Sequence, residues 1–442
     1  MRDPGIRATF GDEPEHTVHQ VLRVDETSFL ATQPIPRHRH RNGATHRRLP
    51  VRPRARRGPI RTKAAVTILA LVALAAACET DAPAAPGPTS SPARHSPSPS
   101  PDPPPHVRVA FLQELHDDGA RERALAPFQG AELAFAAEAL GADPAARVDL
   151  VPVDLAADPD AAAIVADDPS FVAAIVGPEV RHRSAVRELT EAGLAVVDLS
   201  PFGRAVITEV GAWRRPVPTL LDHADELARI AEGAPGRRRG LCLLEEPTTA
   251  IGLLRPVLRA ATTEVVRSGP AAPGSVGDIA RETRCRIVVF DGDEEGAASA
   301  ARDLAAEAPR TLLLGGDRLR HPPFLSLAGR AAEGAISVCG CLDLTFSTEL
   351  AAQRFVQDLQ SAYGGAPGPY AVEGWDAAGM VIRALGALGP TRGAVTAWIA
   401  TVGSFEGLGG TYTFDGRGQA EEAEAHAAVV RGGRWVALAP AP

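Results

Sequence analysis

Between His106 and Arg204 the sequence alternates short apolar runs with helix-patterned segments, and nothing else in the 442-residue chain limits its fold as tightly. The runs are Val107-Arg108-Val109-Ala110-Phe111-Leu112, Val148-Asp149-Leu150-Val151-Pro152-Val153-Asp154, Phe171-Val172-Ala173-Ala174-Ile175-Val176 and Leu194-Ala195-Val196-Val197-Asp198-Leu199. Strands without polar alternation are buried on both faces, which requires a parallel sheet covered by helices on each side. Each run ends in small or polar residues (Gly177-Pro178, Ser200-Pro201), and open α/β sheets bind ligands beyond such strand tips. A second alternation begins at Arg239-Gly240-Leu241-Cys242-Leu243-Leu244-Glu245-Glu246, with strands expected at 263–268, 286–291, 311–315 and 335–340 and an amphipathic helix at 297–308. Helices are expected at 348–363, 370–387 and 391–402. The expected class is α/β, with two doubly wound parallel-sheet lobes, a cleft between them and a three-strand hinge.

Charge is divided unevenly. The first 77 residues carry 14 basic and 6 acidic side chains, so the rest of the chain holds a net −16 out of a total of −8. A body that acidic argues against nucleic acid as a partner. At the front, Arg52, Arg54, Arg56, Arg57, Arg61 and Lys63 precede the apolar run Ala64–Ala77, which ends in Leu74-Ala75-Ala76-Ala77-Cys78. A basic n-region, a short apolar core and small residues form a secretory signal. The run is too short for a relaxed membrane span of roughly 20 residues. Cys78 directly after the small residues resembles a bacterial lipobox, which implies lipidation there, although the customary Leu three places before the cysteine is Ala75. Residues 1–50 have no apolar periodicity and read as an extension, with translation starting near Val51. Residues 79–105, rich in Pro, Ser and Ala, form a tether that buries no core.

In the body, Phe128-Gln129-Gly130-Ala131-Glu132-Leu133-Ala134, Asp154-Leu155-Ala156-Ala157-Asp158-Pro159, Ile175-Val176-Gly177-Pro178-Glu179, Leu199-Ser200-Pro201 and Trp213-Arg214-Arg215-Pro216 occur in order. Tyr370-Ala371-Val372-Glu373-Gly374-Trp375-Asp376 and Phe405-Glu406-Gly407-Leu408-Gly409-Gly410 follow later. Together they resemble the type I periplasmic-binding fold, in its branched-chain amino-acid form of ABC-transporter receptor, over residues 106–438. The resemblance implies a lobe of 106–215 plus 346–405 and another of 216–345 plus 406–442. It also implies a small polar ligand such as an amino acid, hinge closure as the working motion, an ABC permease as partner, no cofactor and no catalysis. The whole layout implies a monomer exported and lipid-anchored to the outer face of the cell membrane.

By position in that family, the ligand-holding candidates are Glu179, Ser184, Ser200, Gly203, Glu246, Asp293 and Asp317. Asp317, in Gly315-Gly316-Asp317, falls where the family often pairs a carboxylate with the ligand's ammonium, a charge-assisted contact. The family's serine-rich loop is replaced by Glu179-Val180-Arg181-His182-Arg183-Ser184, and its second-lobe aromatic is missing near Glu246-Pro247-Thr248-Thr249. Independently of the family, Arg181, Arg183 and Arg204 on one wall would face Glu245, Glu246, Asp291, Asp293 and Asp317 on the other, a pattern suited to a zwitterion. Helix caps and solvated rim positions are the competing roles for these side chains.

With Cys78 lipidated, four cysteines remain and allow three pairings, or none if they are buried thiols. Cys242 and Cys285 begin strands expected side by side, whereas a bond between Cys339 and Cys341 on one strand face would be strained. Gly-x-Ser-x-Gly, the P-loop and His-Glu-x-x-His are absent from the sequence, and Cys-x-Cys is weak evidence for zinc. An exported hydrolase built on His116-Asp117-Asp118 ranks low. The main alternative to a transport receptor is a sensory or regulatory binding module on the same fold.

Overall fold

The computed structural model describes residues 104–139, 145–202, 211–234 and 240–438. The proposed signal, Cys78 and most of the tether fall outside these residues, as do Gly203 and Arg204. Two sheets form the body. In the first, β1 (His106–Gln113), β2 (Arg147–Asp154), β3 (Phe171–Val176), β4 (Ala195–Asp198) and β5 (Trp213–Arg214) lie in the order β2-β1-β3-β4-β5, all parallel. The connecting helices are α1 (Asp118–Ala139), α2 (Ala161–Asp167) and α3 (Arg183–Glu191). Strands β3 and β4 are buried at every residue, as the wholly apolar sequence of β3 demands; β4 buries Asp198 at its end.

The second half runs α4 (Leu220–Gly233), β6 (Leu241–Glu245), α5 (Leu254–Ala260), β7 (Val265–Pro270), α6 (Val276–Thr283), β8 (Ile287–Asp291), α7 (Glu294–Glu307), β9 (Leu312–Gly315), α8 (Pro322–Ala328) and β10 (Ile336–Cys339). Then follow α9 (Leu350–Tyr363), α10 (Ala371–Leu388), α11 (Arg392–Thr401), the small β11 (Ser404–Glu406) and β12 (Thr411–Thr413) pair, and the hairpin β13 (His426–Arg431) with β14 (Arg434–Ala437). The second sheet has the order β14-β13-β10-β9-β8-β6-β7. It is mixed, because β13 runs antiparallel to both β10 and β14. Gly432 and Gly433, at φ 60° and 75°, supply the doubly left-handed turn that a two-residue hairpin needs.

The chain passes between the sheets three times. After β5 it runs through Arg215–Val217 to α4, which packs on the second sheet's core through Ala224, Leu227 and Ile230. After β10 it returns, and α10 and α11 cover the first sheet, with Met380, Val381, Val395 and Ile399 against Val109, Phe111 and Val197. Phe405, Phe414 and Ala420 belong to that same core. The last crossing therefore lies between Ala420 and His426, later than the Glu406 boundary the sequence suggested. The apolar side chains at 405, 414 and 420 are buried in the first sheet's core, which keeps this segment with that lobe.

Cys242, on β6, bonds Cys285 at the foot of the adjacent β8, with Cα atoms 5.9 Å apart. Cys339 and Cys341 also bond each other, against the expectation that this pair avoids itself. The reason is local. β10 ends at Cys339 and the chain bends, bringing the two Cα atoms to 5.1 Å, below the roughly 6.6 Å of an extended strand. No helix among the described residues is long and apolar enough to cross a membrane.

Helices α1 and α10 cross in direct backbone contact. A Cβ on Gly130 would lie 2.0 Å from the Ala371 carbonyl oxygen, and one on Gly374 would lie 2.0 Å from that of Pro127. Gly386, farther along α10, has no such neighbour and is exposed. Gly130→Ala is expected to destabilise by about 1–3 kcal/mol through overpacking. Gly386→Ala is expected to stabilise by about 0.5–1 kcal/mol through helix propensity alone. Urea unfolding midpoints of the two variants check the contrast; equal signs would contradict it.

Candidate ligand cleft between the two sheets

The C-terminal strand ends of both sheets face one another, and two buried carboxylates fix the loops there. Glu114 follows β1 and accepts the backbone N–H groups of Arg181 and His182, each at 2.7 Å, and contacts His182 Nδ1 at 2.8 Å. This holds the segment after Gly177-Pro178 in place. Across the cleft Asp291 ends β8 and accepts from the N–H groups of Ile251, Gly252 and Leu253 at 2.9, 3.0 and 2.8 Å. Burial pushes the Asp291 carboxyl above its ordinary range, and these three bonds oppose that push. A carboxylate accepting several backbone donors is how a loop without regular structure keeps one shape.

Between these frames runs a chain of ion pairs from one lobe to the other. Arg123, on the second turn of α1, donates from Nη1 to Glu294 of α7 at 2.9 and 3.1 Å, and its Nε lies 3.3 Å from Glu179. Arg318, just after β9, donates to Glu179 at 2.8 Å and to the Thr249 carbonyl at 2.6 Å. Arg123, Glu294 and Arg318 are each 5% exposed. Burial alone would push Glu179 up, but Arg318 and Arg123 overcome it and hold the carboxyl at about 2. For Glu294 burial outweighs Arg123 and raises it. Arg123, despite its burial, is raised by Glu179 and Glu294. Behind Glu179, His321 is pushed down to about 3 by burial, so its imidazole is neutral at physiological pH.

A second contact between the lobes lies deeper. The Tyr370 hydroxyl donates to Asp317 Oδ2 at 3.0 Å, and both residues are buried. Tyr370 caps α10 with φ 65°, a left-handed backbone costly for a bulky side chain. Burial, then the Asp317 charge, raise the phenol well above its ordinary range, so it stays a hydrogen-bond donor.

Glu179 lies in the middle of the ion-pair chain. Through Arg318 it is linked to the Thr249 loop, where the Thr249 hydroxyl donates to Glu246 at 2.7 Å and accepts from the Asp293 backbone N–H at 3.1 Å. Asp293 also caps α7, accepting from the Gly296 N–H at 2.8 Å. Asp317 touches Tyr370 of the opposite lobe. Ser200 is buried, donating to the Val180 carbonyl at 2.8 Å. Ser184 is exposed on α3, away from this chain of contacts. Gly203 lies outside the described residues. Of the flanking charges, Arg183 turns back to Asp198 at 2.6 Å within its own lobe. The sequence reading missed Arg123, Glu294, Arg318 and Tyr370. Arg123 is one of several charges on an ordinary helix; Arg318 adjoins Asp317, and Tyr370 opens a motif that carries the family resemblance without pointing to a contact across the cleft.

Residues 258–434 match the family model described as periplasmic binding protein. No curated protein matches the chain. Among solved structures, the branched-chain amino acid transporter substrate-binding protein LivJ from Streptococcus pneumoniae, in complex with isoleucine, aligns with a TM-score of 0.63 at 17% identity, covering 75% of this chain and 98% of that one. The leucine-binding protein LivK of Thermotoga maritima aligns at 0.61 and 18%, covering 75% and 98%. A solute-binding protein of an ABC transporter from R. palustris, in complex with benzoate, aligns at 0.60 and 18%, covering 75% and 95%. Residues 258–434 are thus similar to periplasmic binding proteins, and the body as a whole has the type I periplasmic-binding fold of these structures.

Proposed function

We propose that the chain is an exported, lipid-anchored solute-binding protein that captures a small polar ligand between its lobes and delivers it to an ABC permease. An amino acid or related zwitterion is the ligand class. The observation that carries this reading is the chain Glu294–Arg123–Glu179–Arg318 at the facing strand ends. Two guanidinium groups and two carboxylates there are the donors and acceptors that a ligand's carboxylate and ammonium require. LivJ with isoleucine and the R. palustris protein with benzoate each hold a small carboxylate-bearing molecule on the same fold. Anchoring rests on the sequence around Cys78. Binding and closure, with no bond made or broken, are the whole activity, and the protein acts as a monomer.

The alternative is a sensory or regulatory module that passes closure to a signalling partner. One observation favours it: the lobes are already tied by the protein's own ion pairs. A ligand must then displace them, which suits a switch as well as a carrier.

Calorimetric titration of the exported body with aliphatic, acidic and basic amino acids and with polyamines tests the ligand class. Saturable binding of at least one amino acid, weakened tenfold or more by Glu179→Gln or Arg318→Met, is expected. If none of these compounds binds, the zwitterion reading fails.

The ion-pair chain predicts its own opening. Arg123→Met leaves Glu294 unpaired and Glu179 with one partner, and breaking a buried pair from one side costs about 3–5 kcal/mol. A larger radius of gyration by small-angle scattering and a lower melting temperature are expected. The pH dependence has a definite sign. Glu179 titrates at about 2 in the folded protein, below its ordinary value of 4.5. Its contribution is complete above that ordinary value and is lost as pH falls toward 2. Melting curves of Glu179→Gln should lack this acid-range loss; an unchanged profile would mean that Glu179 does not hold the lobes.

A further inference from the structure

A cavity of about 180 Å³ opens at the hinge, touching all three crossings: Pro216 and Pro218, Gly340 and Leu342, and Ala420 to His426. It is separate from the ion-pair chain, none of whose residues lines it. Glu373 of α10 forms part of its wall and is 2% exposed. Glu373 Oε1 accepts the Leu342 N–H at 2.8 Å, while Oε2 has no hydrogen-bond partner among the described residues. A buried carboxylate oxygen left without a partner costs free energy unless something answers it.

The other walls indicate what would answer it. Glu422 and Glu424 line the cavity from the third crossing, and among the described residues no arginine does. Tyr412 presents an aromatic ring there, its hydroxyl tied to Asp376 at 2.7 Å. His426 is pushed down by burial, so it adds no charge at neutral pH. The cation acting on Glu373 is Arg320, which pairs with Asp343 at 3.5 Å. Among the described residues no group of three or more His, Cys, Asp or Glu could hold a metal ion. Carboxylates beside an aromatic face and proline rings suit an organic cation.

We propose that this hinge cavity binds a small organic cation, an alkylammonium or guanidinium, whose charge pairs with Glu373 and whose occupancy ties the three crossings together. The site does not depend on which ligand enters between the lobes. Burial, with the Asp376 charge adding to it, pushes Glu373 up to about 8, so the carboxyl holds its proton at neutral pH. Glu373 Oε2 is closed to solvent, so binding proceeds by a turn of this side chain toward the cavity, loss of the proton to solvent and formation of the ion pair in its place. Cation affinity must therefore rise with pH by about tenfold per unit below 8 and level off above it.

The test uses the full chain, with ethylammonium chloride and guanidinium chloride titrated calorimetrically in phosphate at constant ionic strength set by sodium chloride. At pH 8 the expected affinity is in the millimolar range or better, falling about tenfold for each pH unit down to 6. Glu373→Gln, which keeps the oxygen facing the Leu342 N–H, should lose binding at least tenfold and lose its pH dependence. Paired replacement of the exposed rim, Glu422→Gln with Glu424→Gln, should weaken binding a few-fold and leave the pH dependence intact. If Glu373→Gln does not fold, the pH profile of the wild type and the rim variant decide alone. No heat from either salt up to roughly 50 mM, an affinity flat with pH, or a Glu373→Gln variant that binds as the wild type does would each overturn the proposal. Equal displacement by sodium would overturn the organic cation.

Discussion

Glu179 between Arg123 and Arg318 is the contact on which the relation of the two lobes depends. Each of these side chains comes from a different element: a strand-end loop, α1, and the turn after β9. Bringing four charges out of water is costly, and their mutual attraction at short range roughly offsets that cost. The net free energy of such a network is therefore small even though each single deletion is large. This combination is what a cleft that opens and closes requires. A strongly favourable network would lock the lobes together, and an unpaired set would hold them apart. On the function proposed above, a zwitterion offering one carboxylate and one ammonium would replace like with like, so the exchange would not leave a buried charge alone.

The network holds its geometry because its neighbours are fixed by different bonds. Glu114 clamps the backbone at Arg181 and His182, and Asp291 clamps 251–253, so Glu179 and the Thr249 loop start from fixed positions. Both clamps follow strands of wholly or largely buried residues. The rigid sheet thus transmits its order to the loops through two carboxylates. Tyr370 shows the same dependence from the other direction: its left-handed backbone is tolerated because α10 beyond it is packed at backbone distance on α1.

This division explains what could be read from the sequence. The sheets were legible because burial on both faces leaves continuous apolar runs such as Phe171–Val176, whose shortness and β-branched residues mark them as strands. The mixed edge of the second sheet was not, since β13 and β14 are partly exposed strands whose direction is set by a glycine turn. Glu179 stood out as a departure from a hydroxyl-rich loop, and the structure gives the departure a reason: the carboxylate has two arginines to meet. Those arginines were invisible as partners, because Arg123 and Glu179 are 56 positions apart in the numbering of the chain and only the fold joins them. Asp293 carried a signal with two meanings, and its side chain caps α7. The Cys339–Cys341 bond was misjudged because the strand was assumed to continue through it.

The hinge follows a different electrostatic rule from the cleft. At the cleft Glu179 and Glu294 each face an arginine, and Glu179 is held far below its ordinary range. At the hinge Glu373 and Asp376 lie near each other with their donors drawn from backbone N–H groups and a phenol, and both are pushed upward. Two acids pushed upward share a region that prefers to be neutral, so the packing there favours protons over ions. The crossing at Cys339–Leu342 is also held covalently by its disulfide, by the Leu342–Glu373 bond, and by Gly340 lying against Pro218 and His223 with no room for a Cβ. The first crossing is tied to the third as well, Arg215 N–H donating to the Gly418 carbonyl at 2.8 Å and Gln419 Nε2 to that of Val217 at 3.0 Å. Charge thus governs whether the lobes meet, while packing and backbone bonds at the crossings govern the path along which they do.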